Sequence, residues 1–176
     1  MADEKQVNRS VIRLERCDVT DTDAECFVYY AQSDLKLGSG YGGAIAVRGG
    51  PSIQKILDKM GPLAPNECVI TEAGEMKAKY IIHANGPKFQ EEGTPDKLRA
   101  TIVNALKLAE EKGIKRIAFP PMGYGFYGVP LNQSAELTLE TIVSFLENQT
   151  CLEEVLVCLW DHHEYKPFQN KLESLK

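Results

Sequence analysis

The sequence predicts an α/β fold of three layers, a mixed and mostly parallel central sheet with helices on both faces. Two observations predict it. Short apolar segments alternate with longer stretches whose apolar residues recur every three or four positions. From residue 79 onward the order runs strand, helix, strand, helix, strand, helix, the pattern of a parallel sheet covered on both sides.

Strands are expected over 9–15, 25–31, 67–73, 79–85, 114–119 and 154–160. Within them IIHA (81–84), RIAF (116–119) and VLVCLW (155–160) are apolar enough to be buried on both faces. A short helix, opened by Pro51, is expected over 51–60. The stretch 94–112 reads as a helix with Thr94 as N-cap and Pro95 at the first helical position. Leu98, Ile102, Ala105, Leu106 and Ala109 give it one apolar face, and Gly113 ends it. Ala135, Leu139, Ile142, Val143 and Leu146 repeat the pattern over 132–147, and a last helix is expected near 163–175.

Composition narrows the functional classes. A chain of 176 residues, 43% hydrophobic and 26% charged, is expected to form one domain, 1–176, with a core of its own. The longest apolar run, CFVYYA (26–31), is far too short to cross a bilayer, and the N-terminal residues do not read as a signal peptide. Five scattered cysteines without a CxxC pair read as reduced thiols of a cytoplasmic protein. A net charge of −5 without a Lys/Arg stripe argues against general nucleic-acid binding. An anionic ligand would therefore be held by backbone N–H groups more than by basic side chains. Asp161, His162 and His163 read as a solvated helix start, and His83 as a buried structural histidine, so neither a metal nor a cofactor is expected.

Ligands of such sheets bind beyond the carboxyl ends of the strands. Two unusual segments fall there: GSGYGGAIAVRGG (38–50), and PPMGYGFYGVP (120–130), directly after RIAF. Nine of the 14 glycines lie within 38–50 and 123–128, where a site would be. Glycine-rich backbone leading into a helix offers N–H donors and a partial positive potential to phosphate. GSGYGG is neither a Walker A sequence nor a complete GxGxxG ladder. Tyr41, Tyr124, Phe126 and Tyr127, set among the glycines, point to a ligand with sugar or base rings.

Five ordered elements together resemble the macro domain family, which recognises ADP-ribose: CDVT (17–20), GSGYGGAIA (38–46), IIHANGP (81–87), AFPPMGYGFYGVP (118–130) and VLVCLWD (155–161). The resemblance spans roughly 15–165 and implies the three-layer α/β/α macro-domain fold. It also implies roles. Asp18 would accept from the adenine amino group while the Val19 N–H reads the ring, and Trp160 would lie against the adenine face. Gly38, Ser39, Gly40, Tyr41 and Gly42 on one side, and Gly123, Tyr124, Gly125 and Phe126 on the other, would hold the diphosphate. Phe126 and Tyr127 would close over the distal ribose. Gln32 stands where many catalytic members carry an Asn that contacts this ribose, Tyr29 replaces another Asn, and Gly42 takes the place of an acidic residue. Where a further hydrolytic branch has a Lys/Asp pair, this sequence offers Asn85 or Lys88, and Tyr127.

Two classes follow from the resemblance. The first is a binding module for ADP-ribose or ADP-ribosylated proteins. The second is a hydrolase removing ADP-ribose, its 1″-phosphate or an acyl ester, with water activated by the substrate's own phosphate. Neither glycine-rich segment contains Asp, Glu, His or Cys, which favours the first.

Overall fold

A computed structural model describes residues 3–175; Met1, Ala2 and Lys176 of the expected 1–176 span lie outside it. Seven strands form one sheet: β1 (Glu4–Val7), β2 (Ser10–Arg16), β3 (Cys26–Tyr30), β4 (Cys68–Glu72), β5 (Tyr80–Ala84), β6 (Arg116–Phe119) and β7 (Glu154–Leu159). Their order across the sheet is β1-β2-β7-β6-β3-β5-β4. The two outermost pairs, β1 with β2 and β4 with β5, are antiparallel, and the inner pairs are parallel. Five helices complete the fold: α1 (Tyr41–Gly49), α2 (Ser52–Asp58), α3 (Thr94–Glu111), α4 (Leu131–Leu146) and α5 (His162–Ser174). None of the helices among the described residues is long and apolar enough to cross a membrane.

Strand alternation sorts the core into two layers. In β3, Cys26, Val28 and Tyr30 face one side, where they join Leu98, Ile102, Leu106, Leu139, Ile142 and Phe168 from α3, α4 and α5. Phe27 and Tyr29 face the other, with Ile45 of α1 and Ile53 and Leu57 of α2. Both faces of the inner strands are thus covered, which is why their sequences are continuously apolar rather than alternating. Burying a Phe such as Phe27 or Phe119 completely, as here, contributes roughly 1.5–3 kcal/mol each.

Three elements differ from the sequence expectations. Strand β1 was not foreseen, because EKQV buries only Val7. It pairs through a two-residue turn with Asn8 at φ 52°, a left-handed conformation that Asn tolerates. Residues 41–49, read as glycine-rich loop, are helix α1. Tertiary packing overrides their low helix propensity: a Cβ on Gly49 would lie 2.2 Å from Ile53 Cδ1. The N-cap of α3 is Gly93, in the left-handed region at φ 73°, while Thr94 is the first helical residue and its hydroxyl donates to the Glu91 carbonyl. The other boundaries agree within two residues.

The register explains why a cleft opens where it does. β3 and β6 share only the pairs Cys26↔Ile117 and Phe27↔Ala118, whereas β3 and β5 share five, from Cys26↔Tyr80 to Tyr30↔Ala84. Pro120 and Pro121 follow β6 directly and have no N–H to extend the ladder. The carboxyl ends of β3 and β6 part at this point, and the chain leaves them in opposite directions.

Candidate functional site

Two hollows adjoin at the carboxyl ends of the parallel strands. The larger by number of lining residues, though both enclose about 320 Å³, lies over the parting of β3 and β6. Its walls are Gln32, Ser39, Gly40 and Tyr41 on one side and Gly123, Tyr124, Gly125, Phe126 and Tyr127 on the other. The smaller is lined by Asp18, Gly40, Tyr41, Ala44 and Trp160, and Gly40 and Tyr41 belong to both. Eleven of the fourteen sequence candidates therefore line one or other hollow. Val19, Gly38 and Gly42 do not: the Val19 side chain is buried in the core, and Gly42 is buried inside the first turn of α1.

The first wall is the start of α1. Gly40 is its N-cap at φ 61°, with no side chain capping it. Among the described residues no acceptor takes the N–H groups of Tyr41, Gly42 or Gly43, while Ala44 N donates to Gly40 O at 3.0 Å. Such first-turn donors need a partner from water or a ligand. Gly42 serves packing. A Cβ there would stand 1.6 Å from Leu37 O and 2.4 Å from Tyr29 Oη. Tyr29 Oη itself donates to Leu37 O at 3.1 Å, so hydroxyl and carbonyl fill the space that a side chain at 42 would need.

The second wall is a folded turn. Val129 N donates to Gly123 O at 3.0 Å and Gly128 N to Gly125 O at 2.9 Å, and Ser134 Oγ ties Met122 O to the start of α4 at 2.8 Å. Tyr124 N donates within the turn, to Pro121 O at 3.3 Å. Tyr127 stacks on Tyr30 with ring centroids 4.1 Å apart, and Phe126, 80% exposed, stands edge-on to it. The Tyr30 hydroxyl donates to the Pro87 carbonyl, which ties the end of β3 to the segment after β5.

Burial holds the cavity tyrosines in their neutral form. It pushes the Tyr29 phenol up to about 12, and Tyr30 and Tyr41 higher still. Tyr127 is raised mainly by burial, with a smaller contribution from Asp34. These hydroxyls can donate and accept hydrogen bonds but are not bases at neutral pH. Asn85 is committed elsewhere, its amide donating to Leu63 O at 3.2 Å and Ala64 O at 2.9 Å, and Lys88 lines neither hollow.

Asp18 caps the short 3-10 turn Val19–Asp21. Its Oδ1 accepts from Thr20 N at 2.9 Å and Thr20 Oγ1 at 2.7 Å, and Oδ2 lies 3.4 Å from Arg48. The carboxylate is thus oriented by the chain while still facing the smaller hollow, where Trp160 stands 59% exposed.

Sequence reasoning missed five residues of the larger cavity: Tyr29, Tyr30, Pro120, Pro121 and Glu164. Tyr30 read as a core residue of a strand, Tyr29 only as a replacement for a family Asn, and the prolines only as part of the segment 120–130. Glu164 had a signal, since Asp161 and Glu164 have the spacing of a capping box. Asp161 Oδ1 accepts from Glu164 N at 2.9 Å, and Glu164 Oε1 accepts from Trp160 N at 2.8 Å. The two glycine-rich segments lack acids, as expected, but a carboxylate reaches the cavity from α5.

The family model described as Macro domain matches residues 28–138. The chain is 35% identical over 170 residues to the Macro domain-containing protein TTE0995 of Caldanaerobacter subterraneus, covering 93% of this chain and 97% of that protein. It is 34% identical over 171 residues to the Macro domain-containing protein lmo2759 of Listeria monocytogenes, with 93% and 97% covered. Among solved structures, the Oceanobacillus iheyensis macrodomain with ADP superposes with a TM-score of 0.93 at 28% identity, over 98% of this chain and 95% of that one. The Trypanosoma brucei macrodomain in complex with ADP-ribose gives 0.86 at 28% identity, over 92% and 68%.

Proposed function

We propose that this chain, which belongs to the macro domain family, binds ADP-ribose, free or attached to a protein, across the two adjoining hollows. The observation that carries the reading is the meeting of the glycine-rich segments around one cavity, with the uncapped first turn of α1 turned into it. The Oceanobacillus and Trypanosoma relatives with ADP and ADP-ribose supply the ligand class. In this reading Asp18 accepts from the adenine amino group, the Val19 N–H reads the ring and Trp160 covers it. The α1 N-terminus, from Gly38 to Gly42, and the Gly123 and Gly125 turn hold the diphosphate. Gln32 meets the distal ribose, with Phe126 and Tyr127 closing over it.

A reader fits better than a hydrolase. A side-chain base at position 42 would need space that Leu37 O and Tyr29 Oη occupy, the cavity phenols are neutral, and the one carboxylate lining the larger hollow, Glu164, is held by Trp160 N at 2.8 Å. Five free cysteines support a reducing compartment, and we place the protein in the cytoplasm.

The test is calorimetric titration with ADP-ribose, using AMP and NAD as controls, on wild type and Asp18→Ala. Micromolar affinity for ADP-ribose, about −8 kcal/mol, weakened by the substitution, is the expected result. No heat with any of the three would overturn the reading. Release of ADP-ribose from a modified protein at a rate that Gln32→Ala reduces would replace the reader with a hydrolase.

A further inference from the structure

Glu164 sits between the two hollows. The strands run β2-β7-β6-β3 across the sheet. The smaller hollow lies at the ends of β2 and β7, beside Asp18 and Trp160, and the larger over β6 and β3. Glu164 follows β7 on the first turn of α5, bonds Trp160 N from the smaller hollow and lines the larger one. On the ADP-ribose reading, on which this inference rests, adenine fills the first hollow and diphosphate the second. The group that joins adenine to diphosphate is the adenosine ribose.

The side chain is built to stay where it is. Oε1 is held at 2.8 Å by Trp160 N, and the backbone of Glu164 by Asp161 at 2.9 Å. Among the described residues the one hydrogen bond to its carboxylate is that from Trp160 N, which leaves Oε2 without a hydrogen-bond donor. Its surroundings are acidic. Asp161 lies on the same helix turn, Asp18 lines the adjoining hollow, and the Arg48 guanidinium beside it is engaged by Asp18 at 3.4 Å and Asp21 at 3.5 Å. His162 and His163 are exposed on the same helix turn. No lysine or arginine lines either hollow.

We infer that Glu164 accepts a hydrogen bond from a hydroxyl of the adenosine ribose and so selects ligands with an unmodified ribose over those carrying a 2′-phosphate there. A fixed carboxylate suits a vicinal diol, because it accepts from hydroxyls and has nothing to donate. A 2′-phosphate brings nearly two negative charges and no proton to offer in their place, against a carboxylate in a partly desolvated site. The same logic lets an acidic residue separate the two nicotinamide dinucleotides in a different fold.

The experiment titrates wild type and Glu164→Gln with ADP-ribose and with ADP-ribose 2′-phosphate at one fixed salt concentration. Gln keeps an Oε1 for Trp160 N, so the start of α5 is retained, and circular dichroism checks it. Wild type is expected to favour the unphosphorylated ligand. In Glu164→Gln the preference should shrink by about tenfold, because affinity for ADP-ribose falls while affinity for the phosphorylated ligand rises. A merely structural role would weaken both ligands alike. An unchanged ratio, or wild type preferring the 2′-phosphate, overturns the role of Glu164 and leaves the ADP-ribose reading standing. Wild type that binds neither ligand overturns both.

Discussion

The two glycine-rich walls of the cleft look alike in sequence and are built differently. The first is the start of a helix, and its rigidity comes from Gly42, pressed against Leu37 O and Tyr29 Oη. The second is a turn held by its own backbone hydrogen bonds and by two tyrosine rings, Tyr30 against Tyr127. Each wall also divides its glycines between two jobs. A Cβ on Gly42, Gly123 or Gly128 would strike a neighbour, the last two at 2.6 Å from Val129 and 2.4 Å from Phe89, and these last two also adopt φ of 80° and 75°. Gly40 and Gly125 would place a Cβ in open space, yet adopt φ of 61° and 89°. A packing glycine protects the fold, whereas an open one keeps the cleft clear and supplies a turn that other residues resist.

Substitution should separate these jobs, and the largest effect is expected at the tightest contact. Gly42→Ala should cost about 3 kcal/mol or more, read by urea denaturation, because the obstructing atom is a backbone carbonyl that a rotamer change cannot move. For the same reason Gly42→Asp should unfold the first wall rather than restore an acid to the site. If Gly42→Ala were neutral, the claim that Tyr29 and Leu37 close that position would fail.

Acid should act on the first wall's support next. Behind Tyr29, His83 is buried edge-on to the tyrosine ring at 6.0 Å, its Nε2 hydrogen-bonded to Thr71 Oγ1 at 2.9 Å. Burial lowers its pKa to about 4. The folded pKa lies below the unfolded value near 6.5, so the unfolded chain binds the proton first. This contribution to stability is complete above roughly pH 6.5 and is lost as pH falls towards 4, about 3 kcal/mol in all. Denaturation curves between pH 7 and 4 should show that loss, and His83→Gln should flatten it. The tyrosine pair behind the second wall titrates far above this window and should be indifferent to acid.

Smaller effects distinguish the open glycines from the packed ones. Gly123→Ala should lose about 3 kcal/mol of stability, since Val129 must shift and the backbone at φ 80° is left-handed as well. Gly125→Ala should lose only about 1–2 kcal/mol, from the left-handed backbone alone, while affinity for ADP-ribose drops more than stability accounts for. Smallest for the fold is Phe126→Ala. At 80% exposure its removal should leave the melting temperature within a degree or two while weakening ligand severalfold. Equal losses of stability at Gly123 and Gly125 would erase the distinction between the two kinds of glycine.

Much of this was legible in the sequence, for identifiable reasons. The inner strands announce themselves because burial on both faces leaves them no polar residues, as in VLVCL. The long helices carry clean apolar stripes, as Leu98, Ile102 and Leu106 do. Helix α1 was hidden because its glycines answer to packing partners outside the helix, Leu37 and Tyr29 at Gly42 and Ile53 and Ala73 at Gly49, that helix propensity cannot register. Strand β1 was hidden because an edge strand with one buried residue has no pattern to show. The site divided in the same way. Residues in the loops were found by their composition, while Tyr30 and Glu164 reach the cavity from a strand and a helix, where sequence gives them ordinary structural explanations.

Trp160 has an optical consequence. It is the chain's only tryptophan, and it stands 59% exposed on the wall of the smaller hollow. Excited at the red edge of protein absorption, the whole molecule therefore emits from one point, at the long wavelength of an indole in water. An aromatic ring settling against that indole would quench it and shift the emission to the blue. The fold carries its own reporter at the place where occupancy is to be read.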